Sequence, residues 1–263
     1  MRCEMPSDPP VAISYSGGGQ SLALVELVLR GVVPGPEHAC VVFADTGAEH
    51  RWTYREVDAT EKRCREAGID FLRCSKGNLA DNMLEASAKK RSDTPPFWVK
   101  DGGRIIQKCT REYKIRPMRR AIREWMRRRG LRLGQGCERW IGFALDEAHR
   151  AQRTIQAKNP AWERFRFPLI ERRMTRSGVT AFLGREVPFS MCTFCPHKTY
   201  ARHRAADPVD FAQAVAVDAA IRDLSECGLD GELYVSEQRV ALPLIQDVTE
   251  AGGVECSHGA CFL

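Results

Sequence analysis

The chain has 263 residues, enough for one large domain or one domain with an appendage. With 43% hydrophobic and 28% charged residues it has the balance of a soluble globular protein, and no apolar run approaches the roughly 20 residues of a membrane helix. The net charge of +6 is unevenly placed: residues 108–129 hold ten Lys/Arg against two Glu, which suits a polyanionic partner such as nucleic acid, or more simply a solvated helix face.

Residues 1–10 are proline-rich and carry no apolar signal core, so a cytoplasmic location is expected. Eleven cysteines are many for a reducing compartment, where clustered thiols bind metal or do sulfur chemistry more readily than they form disulfides. Cys3, Cys40, Cys64, Cys74, Cys137 and Cys227 are scattered, and most are expected to behave as small buried hydrophobes.

Residues 11–74 alternate strand and helix: strands at 11–15, 40–44 and 69–73, helices at about 20–30 and 53–67. This pattern predicts an α/β fold with a parallel sheet, whose ligands bind at the C-terminal strand ends. Ser16-Gly17-Gly18-Gly19-Gln20-Ser21 falls at such an end, between the first strand and the first helix. Its glycines let backbone N–H groups approach an anion, and the helix N-terminus adds positive charge. A tight turn explains the glycines alone; the flanking serines favour phosphate. Asp45 follows the second strand, so the two can converge on one nucleotide.

Residues 75–107 interrupt the alternation with a short helix near 79–88 and a hairpin around Asp101-Gly102-Gly103. Residues 108–129 read as a helix despite Pro117. Ile115, Met118, Ile122, Trp125 and Met126 share one face, and an arginine-rich surface lies elsewhere. A fourth strand is expected at 139–145. Asp146-Glu147-Ala148-His149-Arg150 follows it, where Asp146 or Glu147 could hold Mg²⁺ and Arg150 phosphate, or where the acids simply favour a helix N-terminus. Residues 151–190 read as irregular, with a helix at 175–183. A last helix, capped by Asp207, is expected to run to Gly228, and 233–235 forms a short edge strand.

Cys192-Thr193-Phe194-Cys195 has a spacing that turns two thiolates toward one metal. Cys256 and Cys261 could complete a four-thiolate zinc site. Cys109 could instead join Cys192 and Cys195 around a [4Fe–4S] cluster, or a cysteine could carry sulfur as a persulfide.

The glycine loop resembles the SGG-x-x-S loop of the PP-loop adenine nucleotide alpha-hydrolases, and Asp45-Thr46-Gly47 is similar to a segment of PAPS reductase-like proteins. Cys109 to Pro117, Trp140-Ile141-Gly142 with Asp146 to Arg150, Cys192 to Pro196 and the Cys256/Cys261 pair also resemble segments of PAPS reductase-like proteins of phages and bacteria. Many PP-loop enzymes have Lys-Asp where this chain has Gly19-Gln20. The resemblance implies a PP-loop domain over 1–190 and a cysteine-bearing C-terminal extension over 191–263. It implies ATP or PAPS held by Ser16, Gly17, Gly18, Gly19, Gln20, Ser21, Asp45 and Gly142. Mg²⁺ would be helped by Asp45 or Asp146, and Cys109, Asp45, Asp146 and Arg150 would serve catalysis. It favours a cluster on Cys109, Cys192 and Cys195, with Cys256 or Cys261 as fourth ligand. The implied activity is an ATP-dependent sulfurtransferase or PAPS reductase-like enzyme with an unknown sulfur donor; the basic 108–129 helix makes nucleic acid (tRNA or DNA) a reasonable acceptor, with a small molecule as the alternative. The alternative is a non-catalytic nucleotide- and nucleic-acid-binding accessory protein with structural zinc.

Overall fold

A computed structural model describes residues 9–33, 37–85, 93–225, 228–229 and 231–245. Its elements run β1 (Val11–Tyr15), α1 (Gly19–Leu29), β2 (Ala39–Asp45), α2 (Arg51–Glu66), β3 (Asp70–Ser75), α3 (Leu79–Leu84) and β4 (Trp98–Val99). A π-helical turn (Thr110–Ile115) then leads into α4 (Arg116–Arg128), followed by β5 (Cys137–Trp140), α5 (Ala148–Gln156), β6 (Glu163–Arg166), α6 (Pro168–Glu171) and α7 (Arg176–Leu183). The chain continues through α8 (Tyr200–Arg204), α9 (Pro208–Ala220) and β7 (Leu233–Tyr234). No helix among the described residues is long and apolar enough to cross a membrane.

Five strands form a parallel sheet in the order β3-β2-β1-β5-β6, the expected α/β arrangement. The period of two along each strand sorts side chains between two cores. Val11, Ile13 and Tyr15 of β1, with Val41 and Phe43 of β2, pack against α1, α2 and α7. Ala12, Cys40, Val42 and Ala44 face the other way, onto Met118, Ile122, Trp125 and Met126 of α4. Because both faces are covered, β1 and β2 are nearly continuous apolar runs. The chain leaves β1 toward β2 and β3, then returns to its other side as β5 and β6. The β1/β5 boundary is therefore the switch point where such sheets bind ligands.

The fourth strand of the main sheet is shorter than expected. β5 ends at Trp140, because the chain must bend over the start of α1: a Cβ on Gly142 would lie 2.9 Å from the Gln20 carbonyl. Residues 151–190 are more regular than their polarity indicates. β6 is a charged edge strand, and its buried Glu163 is paired with Arg139 at 2.7 Å and Arg119 at 2.6 Å. Helix α9 starts on its Asp207 cap, as expected, but stops at Ala220, and the chain turns at Gly228 so that Leu224 and Leu229 pair.

Pro117 sits at the start of α4, but the helical path begins six residues earlier. Arg116 N–H bonds back five residues to the Arg111 carbonyl, and the α register resumes at the proline. The wider π turn accommodates a residue that lacks an N–H and crowds the carbonyl four residues before it.

The 75–107 insertion and the segment after 190 share a third core. β4 pairs antiparallel with β7, and Leu79, Met83, Phe97 and Tyr113 pack with Phe194, Val217, Ile221 and Leu233. This core carries the Cys192–Cys195 loop up to the end of β2, where Thr193 N–H bonds the Ala48 carbonyl at 2.8 Å.

Candidate functional site

At the end of β1 the chain reverses through Gly17, whose φ of +81° suits only glycine and whose Cβ would meet Thr53 Cγ2 at 2.6 Å. The Ser16 and Ser21 hydroxyls lie 3.0 Å apart, and Ser21 Oγ also accepts from Ser16 N–H at 3.1 Å and donates to the Gly18 carbonyl at 3.0 Å. The two serines thus staple the loop closed, and the first turn of α1 opens onto a cavity of about 250 Å³. Ser16, Gly18, Gly19, Gln20 and Ser21 line it, and so do Gly142 and Arg150 from the β5 side; Gly17 lies behind the wall.

Glu147 organises the β5 side. It is 3% exposed and receives Gln20 Nε2 on one oxygen, with Arg150 at 2.5 Å and Arg176 at 3.0 Å on the other. Burial raises its pKa, but Arg150 and the three hydrogen bonds outweigh that and hold the carboxyl below its ordinary value. Arg150 and Arg176 line the cavity, and the Arg150 guanidinium lies 4.4 Å over the Phe143 ring. The two aspartates expected at the nucleotide are placed differently. Asp45 accepts from Gly47 N–H and Tyr54 O–H, both at 2.8 Å, and is not part of the cavity wall. Asp146 has a 44% exposed side chain that accepts from Arg176 N–H at 3.2 Å, also off the wall. Among the described residues the carboxylate on the cavity wall is that of Glu49.

Cys109, Cys192 and Cys195 come together on a second, smaller pocket. None of the three forms a disulfide among the described residues. Burial pushes Cys109 up to about 12 and Cys192 well above its ordinary value, the latter helped by Glu49 and opposed by Lys114. Among the described residues no three His, Cys, Asp or Glu side chains are placed to hold a single metal ion. Three thiols on one pocket do have the donor chemistry of a cluster held by thiolates. Cys256 and Cys261 lie outside the described residues, as do Cys3 and Cys227. Cys40, Cys64 and Cys137 are fully buried, and Cys74 partly so.

Lys114 and Ser190 line both pockets. The Ser190 hydroxyl donates to the Ser16 carbonyl. Lys114 Nζ lies 3.4 Å from Glu49 Oε1, and that oxygen also accepts from Thr46 Oγ1 at 3.2 Å and from Cys192 Sγ at 3.9 Å. Beneath the cysteine loop, Lys198 Nζ bonds the Thr193 carbonyl and meets His50 Nε2 at 3.0 Å, while His50 Nδ1 meets Asp210 at 2.9 Å. Burial lowers Lys198 to about 8; burial and then the Lys198 charge lower His50 to about 4.

The sequence carried little signal for this wall. Lys114 reads as one more member of a basic helix face, because the π turn changes the angular phase between it and the residues after 116. Arg176 opens α7 with nothing to mark it, and Lys198 and His50 are far apart in sequence. On the outer face of α4, Arg116, Arg119, Arg120, Arg123 and Arg127 line an open groove of about 700 Å³. Arg119, Arg116 and Arg127 are tied to Glu163, Glu112 and Glu124; among the described residues Arg120 and Arg123 have no carboxylate partner.

Residues 10–186 match the family model described as the phosphoadenosine phosphosulfate reductase domain. No curated protein matches the chain. Among solved structures, the U34-tRNA thiolase NcsA from Methanococcus maripaludis, with its [4Fe-4S] cluster, is similar at 15% identity and a TM-score of 0.45. That match covers 98% of this chain and 80% of that one. At this distance the likeness assigns neither activity nor cofactor.

Proposed function

Because the chain belongs to the phosphoadenosine phosphosulfate reductase domain family, we propose that it is an enzyme of adenine-nucleotide-dependent sulfur transfer with nucleic acid as acceptor. The observation that carries this reading is the wall shared by the two pockets: Lys114 and Ser190 face both the glycine-loop cavity and the three cysteines. On this reading nucleotide chemistry and sulfur chemistry lie on the two sides of that shared wall.

The loop of Ser16 to Ser21 and the N-terminus of α1 hold the phosphates. An acceptor oxygen attacks the α-phosphorus of ATP, the bond to the β-phosphate breaks, and pyrophosphate leaves. Hydrosulfide-level sulfur then attacks the activated carbon, and AMP leaves with the bonding electrons, so no external reductant is needed. Lys114 stands where it offsets negative charge between the two pockets. Burial keeps Cys109 and Cys192 protonated when nothing is bound, so a group they ligate must displace their protons. A [4Fe–4S] cluster held by Cys109, Cys192 and Cys195 would supply a Lewis-acidic iron for the incoming sulfur. The Arg120 and Arg123 face of α4 would carry the acceptor's phosphate backbone.

Anaerobic purification with iron and sulfide analysis tests the first half of this reading, and pyrophosphate release from ATP with and without tRNA or DNA tests the second. The expected result is about four irons per chain, a broad absorption near roughly 400 nm and release stimulated by nucleic acid. Zinc without iron, together with no release, would replace it with the accessory binding protein. Sulfite formation from PAPS without pyrophosphate release would replace ATP activation by PAPS reduction.

A further inference from the structure

We infer that the nucleotide's phosphates are neutralised here by arginines anchored on Glu147, and that a divalent cation takes no part in nucleotide binding. The inference rests on the nucleotide reading above and specifies the form of ligand taken: an uncomplexed, multiply charged adenine nucleotide.

The carboxylates supply the first line of argument. A cation bridging two phosphates needs anionic oxygens with coordination sites to give. Position 20, on the first turn of α1, is a neutral glutamine whose amide donates to Glu147. Glu147 is buried and ionised, but Gln20 takes one of its oxygens and two guanidinium groups the other. Binding a metal would break ion pairs already formed away from water, where uncompensated charge is costly. Asp45 and Asp146 are turned away, onto Gly47 and Tyr54 in one case and onto Arg176 in the other. Among the described residues Glu49 is the one acidic side chain on the wall, and it lies at the cysteine end beside Lys114.

The cations supply the second. Lys114, Arg150, Arg176 and Arg185 line the cavity; Arg185 is held on Glu56 at 2.7 and 2.8 Å and Lys114 on Glu49, so the guanidinium pair on Glu147 is the part that faces the loop. Arg150 and Arg176 share one Glu147 oxygen, which fixes two planar forks side by side. Guanidinium groups match phosphate oxygens in pairs, and the α1 N-terminus adds its own positive end. Glu147 is thus a positioning residue: it touches no phosphate but sets the spacing of the groups that do. Placing the carboxylate behind the arginines, instead of on the loop, exchanges a metal-bridged site for a guanidinium-lined one.

Calorimetric titration of the anaerobically purified protein tests this, with ATP, adenosine 3′,5′-bisphosphate and adenosine as probes, in EDTA and in magnesium chloride at matched ionic strength. The expected result is phosphate-dependent binding in EDTA that is as tight as in magnesium or tighter. Binding that magnesium tightens by about tenfold or more would overturn the inference while leaving the nucleotide reading intact. No binding of any probe in either buffer would remove both. Glu147→Gln keeps the shape and removes the anchor charge; ATP should bind about tenfold more weakly while adenosine changes by less than about twofold. Arg176→Gln, at a half-exposed side chain, is the second variant should the first not fold, with the same expected split. Equal losses for ATP and adenosine, or no loss for either, would overturn the role given to Glu147.

Discussion

The two pockets that meet at Lys114 are finished to different degrees by the protein itself. Around the glycine loop, the buried carboxylate of Glu147 has its donors, the serines are bonded to each other and to backbone, and the strained turn is a glycine. Around the cysteines the wall is Cys109, Cys192 and Cys195, with burial holding Cys109 and Cys192 in the protonated form. Glu49 Oε2 beside them is buried with no hydrogen-bond partner among the described residues. The first pocket is preorganised for a ligand that comes and goes. On the function proposed above, the second would be completed by a resident group, which would have to displace protons to enter.

The largest effect expected from this contrast is its separation by mutation. Replacing Cys109, Cys192 and Cys195 together by serine should remove nearly all bound iron yet leave ATP affinity within about twofold, since none of the three lines the nucleotide cavity. Iron analysis and calorimetry on one preparation check both halves; a parallel collapse of ATP binding would mean that the pockets form one unit. The converse variant is Gly142→Ala. Its Cβ would lie 2.9 Å from the Gln20 carbonyl carbon and oxygen, backbone atoms that can yield only by moving the start of α1. Overpacking of this kind costs about 1–3 kcal/mol. ATP affinity should fall about tenfold and the melting temperature by roughly 5 °C, with iron content retained.

The same contrast explains what the sequence could show. β1 and β2 were legible because a strand covered on both faces is one apolar run, and the loop between β1 and α1 because no other residues make that turn. β6 was not, since Glu163, Arg164 and Arg166 look like surface until Arg139 and Arg119 are seen to pair with Glu163. Cys109, Cys192 and Cys195 could be nominated by residue type and by resemblance, and their side chains do share a pocket. Lys114 and Arg176 could not, because their roles depend on a π turn and on where a short helix begins. The carboxylate choice at the end of β5 was undecidable from adjacent letters: Asp146 and Glu147 differ in which one the 3₁₀ turn over Leu145–Glu147 tucks inward.

A smaller effect is expected on the outer face of α4. Arg120→Glu with Arg123→Glu should weaken nucleic-acid binding several-fold and lower the slope of log affinity against log salt by about two. ATP binding in the absence of nucleic acid should stay the same. A filter-binding series over salt concentration reads the slope; an unchanged slope would move the acceptor contact off this helix.

The smallest effect concerns the support under the cysteine loop. Folding lowers His50 from an ordinary value near 6.5 to about 4, chiefly by burial and then by the neighbouring Lys198 charge, with Asp210 opposing. Between those values the unfolded chain binds a proton that the folded one refuses. The stability that neutral His50 contributes is therefore complete above about pH 6.5 and is lost as pH falls through about 4. The shift corresponds to at most about 3 kcal/mol. His50→Gln keeps a neutral polar group against Lys198 and Asp210 but cannot titrate. Its melting temperature should be lower than wild type at pH 7 and should decline less steeply between pH 6.5 and 4. If both proteins decline in parallel, the proton is taken up elsewhere, and the Lys198–His50–Asp210 chain is a fixed strut instead of an acid-sensitive one.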